Sequence, residues 1–190
     1  MEFSLGGKID AMNEDDNRAL TSWYWYDWAN QAFALTVGTV LGGQLITRYF
    51  NLATGGSSEI AGFNVTGTSF YAAILGLSMV FVAISSPILG AVADRIRIKK
   101  KIVWIYTLVG VVFTAFMGVA PHLGANSAYR LLAFCFLMGQ IGMAGGNTIY
   151  YAFMPYLAEQ NQMEKVSSWG FAYGFAGGSL ILILHLVVLV

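Results

Sequence analysis

The sequence predicts an all-α, polytopic membrane protein, a bundle of about five transmembrane helices. Three observations carry that expectation. Hydrophobic residues make up 57% of the 190 positions and charged residues only 11%, against roughly 25% charged in soluble domains. Mean hydropathy is +0.63, more apolar surface than a soluble domain of this size can hide, since such a domain buries only about 70% of what its unfolded chain exposes. The stretches free of Asp, Glu, Lys and Arg run 28–47, 61–93, 102–121, 131–158 and 166–190. Each is long enough for the roughly 20 residues that cross a bilayer core, and none alternates with the period of a barrel strand. These facts argue against a soluble enzyme, a nucleic-acid binder and a disordered chain. Net charge is zero, so there is no electrostatic footprint for nucleic acid. The single cysteine, Cys135, excludes an intrachain disulfide and a thiolate metal cluster.

In chain order, residues 1–20 read as a polar, acidic, cytoplasmic tail without the apolar core of a secretory signal. Residues 21–190 read as the transmembrane domain, with spans at about 24–48, 68–93, 102–121, 130–155 and 168–190. Placing the N-terminus inside and alternating puts Lys8, Arg18, Arg95, Arg97, Lys99, Lys100, Lys101 and Lys165 on the cytoplasmic side, and only Arg48 and Arg130 outside. That asymmetry fixes a cytoplasmic N-terminus. The final run LILILHLVVLV has no polar flank, so we expect Val190 to be an internal point of a longer polypeptide.

The spans differ in polarity. The third has only Tyr106, Thr107 and Thr114 as polar members, and reads as lipid-facing. The first carries Asp27, Asn30, Gln31, Gln44 and Arg48; at 100° per residue Asn30 and Arg48 coincide, with Gln44 within about 40°. The fourth carries Gln140, Asn147 and Tyr151 in a similar sector. Unpaired amides are costly in hydrocarbon, so these stripes face protein or water. Either they form interhelical hydrogen bonds, worth about 0.6 kcal/mol each, or they line a polar cavity for a solute. Two stripes on two helices favour the cavity. Glycines four apart (Gly38 and Gly42; Gly142 and Gly146; Gly170, Gly174 and Gly178) have the spacing that lets helix backbones touch.

Asp27 sits among Trp23, Tyr24, Trp25, Tyr26 and Trp28. It is either an interfacial carboxylate reaching water or a coupling or gating group. Arg48 and Arg130 either anchor at headgroup level or receive an anionic group of a solute. His185 and Cys135 read as packing residues, and Asn64-Val-Thr66 matches a glycosylation acceptor. No nucleotide loop, metal-ligand spacing or catalytic constellation is present, so no cofactor, no metal and no enzymatic activity are expected.

The connection GAVADRIRIKKK places Asp94 at a helix C-terminus, where the dipole disfavours an anion, and so calls for a partner. Gly90-x-x-x-Asp94-Arg95 with basic residues following resembles the signature between the second and third spans of major facilitator transporters. It departs from that pattern where Arg97 and Ile98 replace a second glycine and its successor. WYWYDWAN (23–30) with Gln31-Ala32-Phe33, the run 151–158 and VSSWGFAYGFAGG (166–178) resemble the vacuolar amino-acid effluxer-like branch of that superfamily.

The resemblance implies the N-terminal half, incomplete, of a twelve-helix carrier with alternating access. It also implies secondary transport of small organic solutes, with amino acids the first expectation. Gly90, Asp94 and Arg95 would gate the cytoplasmic face, and the partners would be the lipid bilayer, a small-molecule solute and the carrier's missing C-terminal half. The expected location is the plasma membrane by default, or the vacuolar membrane in a eukaryote. Two rival expectations are a small non-transporting membrane scaffold or assembly protein and a half-size carrier working as a homodimer.

Overall fold

The computed structural model describes residues 14–96 and 98–189, with 92–96 and 189 described as backbone alone. The chain is almost entirely helical: α1 (Glu14–Ala32), a π-helical segment (Phe33–Leu41), α2 (Gly42–Thr54), a hairpin of β1 (Ser57–Ile60) and β2 (Phe63–Thr66), α3 (Gly67–Ile96), α4 (Lys99–Met117), α5 (Ala125–Tyr151), the single turn α6 (Met154–Leu157) and α7 (Met163–Leu189). Among the described residues, four helical stretches are long and apolar enough to cross a membrane: Gly67–Ala91, Lys99–His122, Ala125–Tyr151 and Met163–Val188. The protein is thus a multi-pass helical membrane protein.

The first expected span differs from the other four. Helix begins at Glu14, inside the stretch read as a polar tail, because Glu14, Asp15 and Asp16 occupy the first turn, where the helix dipole favours anions. The same run then changes to π winding over Phe33–Leu41. Thr36, Val37, Thr39 and Val40 around Gly38 are poor α-helix formers, which weakens the case for regular winding there. The 100° phase that aligned Asn30 with Gln44 and Arg48 is therefore not carried through, because π turns close from i to i+5 and wind more slowly.

The chain divides into two compact units, Met1–Val37 with Tyr151–Val190, and Gly38–Tyr150. In the first, α1 lies along α7. Leu20, Trp23, Tyr24 and Asp27 are buried at the spacing of one helical face. That face meets the glycines of α7. Any Cβ on Gly170 would meet the Trp23 ring at 2.6 Å, and on Gly178 the Leu35 Cδ1 at 2.7 Å and the Gln31 backbone oxygen at 2.8 Å. Trp28 sits over Gly177 in the same way. Tyr24 stacks on Tyr173 with ring centroids 5.3 Å apart. Further along, His185 Nδ1 and Thr36 Oγ1 lie 3.4 Å apart.

In the second unit α2 ends at Gly55, whose left-handed backbone lets its N–H donate to the Asn51 carbonyl at 2.9 Å. The hairpin follows at once. Ala61 and Gly62 both have positive φ (52° and 82°), the requirement of a two-residue turn that matches strand twist, and Ile60 pairs with Phe63 across it. Thr66 and Ser69 then cap α3 reciprocally: the Thr66 N–H donates to Ser69 Oγ and the Ser69 N–H to Thr66 Oγ1, as in a capping box. Phe50, Phe70 and Tyr129 form a ring cluster with centroids 4.9 to 5.7 Å apart. Tyr71 donates to the Gly38 carbonyl at 2.9 Å.

Helix α5 is the central element of this unit. Leu132, Cys135, Phe136, Gly139, Gln140, Gly142, Gly145, Gly146, Ile149 and Tyr150 are all buried. Helix α4, read as lipid-facing, is so on one side only. Trp104, Ile105, Leu108, Val111 and Phe116 are exposed, but Gly110 and Tyr106 turn inward. A Cβ on Gly142 would lie 2.5 Å from the Gly110 nitrogen and 2.8 Å from the Tyr106 carbonyl oxygen, and one on Gly145 would strike the Tyr106 ring.

Candidate functional site

Asp27 is the most informative polar residue. It lies on the inner face of α1 and is 2% exposed, a packed carboxylate and not one reaching water. The reason is the neighbour. Gly174 has no side chain, and the carboxylate fills its place: a Cβ there would collide with Asp27 Oδ2 and meet Gln31 Cγ at 2.9 Å. Among the described residues, Asp27 Oδ1 and the Tyr24 hydroxyl have no hydrogen-bond partner. Beside Asp27 is a recess of about 10 Å³, lined also by Trp23, Tyr151, Met154, Ser167, Gly170 and Phe171. That volume holds about one water and no organic solute.

The other expected residues divide between the two units. With Asp27 in the first are Asn30 and Gln31, both half-buried, and Tyr151, 41% exposed. Of these, Gln31 shares Gly174 with Asp27 and Tyr151 shares its recess. In the second unit Gln140 is 3% exposed and its Oε1 has no partner among the described residues. Asn147 is half-buried, while Gln44 and Arg48 are exposed. Gly90 is half-buried on α3 with nothing within 4 Å of where a Cβ would stand. The side chains of Asp94, Arg95 and Arg97 lie outside the described residues.

The second unit also holds a polar group that sequence polarity did not single out. Ser78, Ser85 and Ser86 recur on α3 at helical spacing; Ser78 is fully buried and donates to the Leu75 carbonyl at 2.6 Å. Ser86 Oγ and Thr148 Oγ1 are 3.4 Å apart, and the Tyr106 hydroxyl hydrogen-bonds Ser85. Thr148 also donates to the Ala144 carbonyl. Small hydroxyls satisfy themselves on their own helix, which is why they pass for apolar residues in a sequence. The spacing of seven between Ser78 and Ser85 was the available signal. Among the described residues no three His, Cys, Asp or Glu side chains gather as a metal site.

Comparison with known proteins agrees with this architecture. The chain is 29% identical over 168 residues to a Bacillus subtilis (strain 168) protein described as the uncharacterized MFS-type transporter YxiO; the match covers 88% of this chain and 37% of that relative. The chain therefore spans well under half the length of the curated relative it matches. No solved structure matches it. Residues 15–190 match the family described as vacuole effluxer Atg22 like. A match over nearly the whole chain, on a multi-pass helical protein, places it: the chain belongs to the Atg22-like vacuole effluxer family.

Proposed function

We propose that this chain is part of a secondary transporter of the major facilitator type. It moves small organic solutes, amino acids first among them, by alternating access. Its N-terminus is cytoplasmic, a reading that the excess of Lys and Arg around residues 95–101 supports, and its membrane is the plasma membrane, or the vacuolar membrane in a eukaryote. The polar amides Asn30, Gln31, Gln44, Gln140 and Asn147, with Tyr151, contribute to the solute path. Gly90, Asp94 and Arg95 gate the cytoplasmic side, and a C-terminal half completes the cavity.

One observation carries the reading: a carboxylate, Asp27, 2% exposed, with one oxygen unpartnered among the described residues. Desolvating an ion costs several kcal/mol even after relaxation. A protein that buries such a group, beside a recess of one-water size, gains nothing in stability from it. Intramembrane carboxylates of this kind mark ion and proton pathways. Asp27 is therefore the coupling group, and the recess gives it room for a proton-carrying water rather than for the solute.

The test is uptake of a mixture of radiolabelled amino acids by the natural full-length polypeptide in liposomes under an imposed pH gradient. Asp27→Asn, which keeps the shape, should abolish gradient-driven accumulation and leave solute exchange at equilibrium. Asp27→Glu should restore part of the coupling. Full proton-dependent uptake by Asp27→Asn removes the coupling role. Absence of flux in the unaltered protein, in either direction, favours the non-transporting scaffold.

A further inference from the structure

The connection between α2 and α3 is a built element, not a plain loop, and its polarity is graded. The stem strands carry Ser57, Ser58, Glu59, Asn64 and Thr66, whereas the tip is Ile60-Ala61-Gly62-Phe63, with no polar side chain. Ile60 and Phe63 face each other in register and are 40% and 73% exposed. At the base, Arg48, Asn51, Leu52, Gly55 and Gly56 line an open depression of about 450 Å³. Arg48 is exposed there, and Leu52 beside it is 64% exposed. A guanidinium in the middle of α2, one helical turn from Leu52 in its last turn, matches an amphiphile with a phosphate head.

Distance supports the same occupant. Thr66 joins Gly67 of α3 directly, and only Gly55 and Gly56 separate α2 from β1. Four-residue strands place the tip about 14 Å from the helix ends. A headgroup layer is some 5–8 Å deep on each side of a bilayer, so an element of that reach is long enough to span it. The two positive-φ glycines at its base (75° and 108°) turn the chain sharply between α2 and β1. Removing the Phe63 and Ile60 side chains from water favours that position.

We propose that this hairpin and its base form a phospholipid-binding element. Arg48 takes the lipid phosphate in the depression, and Ile60 and Phe63 enter the interface beside the acyl chains. The element lies at the end of α3 opposite the basic connection 95–101, so the two ends of that helix hold the membrane by different chemistry, apolar insertion with one arginine against a run of lysines.

Two measurements on the full chain in nanodiscs containing phosphatidylglycerol test it. In a Cys135→Ala background, spin labels are placed at Phe63→Cys on the tip and Asn64→Cys on the stem. Power saturation should give a ratio of oxygen to aqueous nickel accessibility several-fold higher at 63 than at 64. Equal ratios at the two positions, both open to nickel, would overturn tip insertion. Separately, in detergent, phosphatidylglycerol should raise the melting temperature of the unaltered protein and have little effect on Arg48→Gln. An equal rise in both proteins, or the same rise from inorganic phosphate alone, overturns the lipid seat.

Discussion

Helices α4 and α5 approach so closely at Gly142 that the notch accepts no side chain. A methyl group built there lies 2.5 Å from the Gly110 nitrogen, 2.8 Å from the Gly110 Cα and 2.8 Å from the Tyr106 carbonyl oxygen. All three are backbone atoms, so no rotamer change relieves them. Bringing the closest of them to an ordinary 3.4 Å contact requires the helices to part by about 0.9 Å, and overpacking of that kind costs about 1–3 kcal/mol. The better helix propensity of alanine returns up to about 1 kcal/mol. Gly142→Ala should therefore lose about 1 kcal/mol net. For a chain of this length that is a fall of about 2–4 °C in melting temperature, read by thermal unfolding in detergent with size-exclusion detection. Gly76→Ala on α3 is the control, because nothing lies within 4 Å of its added methyl, and it should match or exceed the unaltered protein. If the two alanine variants melt together, α4 and α5 are not in backbone contact at Gly142 and the packing argument fails.

Gly145→Ala should be destabilising alone and largely rescued by Tyr106→Leu, since its obstacle is a side-chain ring; additive losses in a double-mutant cycle would refute that coupling. Tyr106→Phe removes only the hydrogen bond to Ser85 and should cost about 0.6 kcal/mol in the same melting assay. Gln140→Leu should leave stability unchanged or raised, because the buried Oε1 has no partner among the described residues to lose, while solute flux falls; parallel loss of stability and flux would make Gln140 a packing residue. Ala61→Gly relieves a left-handed backbone that costs a non-glycine residue about 1–2 kcal/mol and should raise the melting temperature by a few degrees.

Where the chain crosses the membrane was legible because lipid imposes one coarse rule, the exclusion of charge over some 20 residues, and four helices obey it. The hairpin was not legible. Its turn is Ala61-Gly62 instead of the Asn-Gly or Asp-Gly pair that announces such turns, and the charge-free count simply began at Ala61. The π segment escaped for a related reason: a wheel drawn at 100° assumes the winding it is meant to test. Asp27 was recognised as the carboxylate of the first apolar run, but its packing was not. That packing depends on Gly174, 147 positions later, and a sequence does not print which glycine faces which side chain. The Ser85, Ser86 and Thr148 hydroxyls were missed because serine and threonine carry no charge and blend into apolar runs.

The seam between α1 and α7 joins elements made early and late in synthesis. Asp27 and Gly174 are separated by about 150 residues, which a ribosome adds in about 7–30 s. Throughout that interval the face bearing Trp23, Asp27 and Gln31 has been made but its glycine counterpart has not. The first span must therefore be sheltered after it leaves the ribosome, held at the insertion machinery or at the membrane surface until α7 arrives. Biogenesis of this protein should therefore be sensitive to the supply of membrane insertion factors, and slowing translation between residues 38 and 163 should lengthen the exposure of a carboxylate that the finished fold conceals.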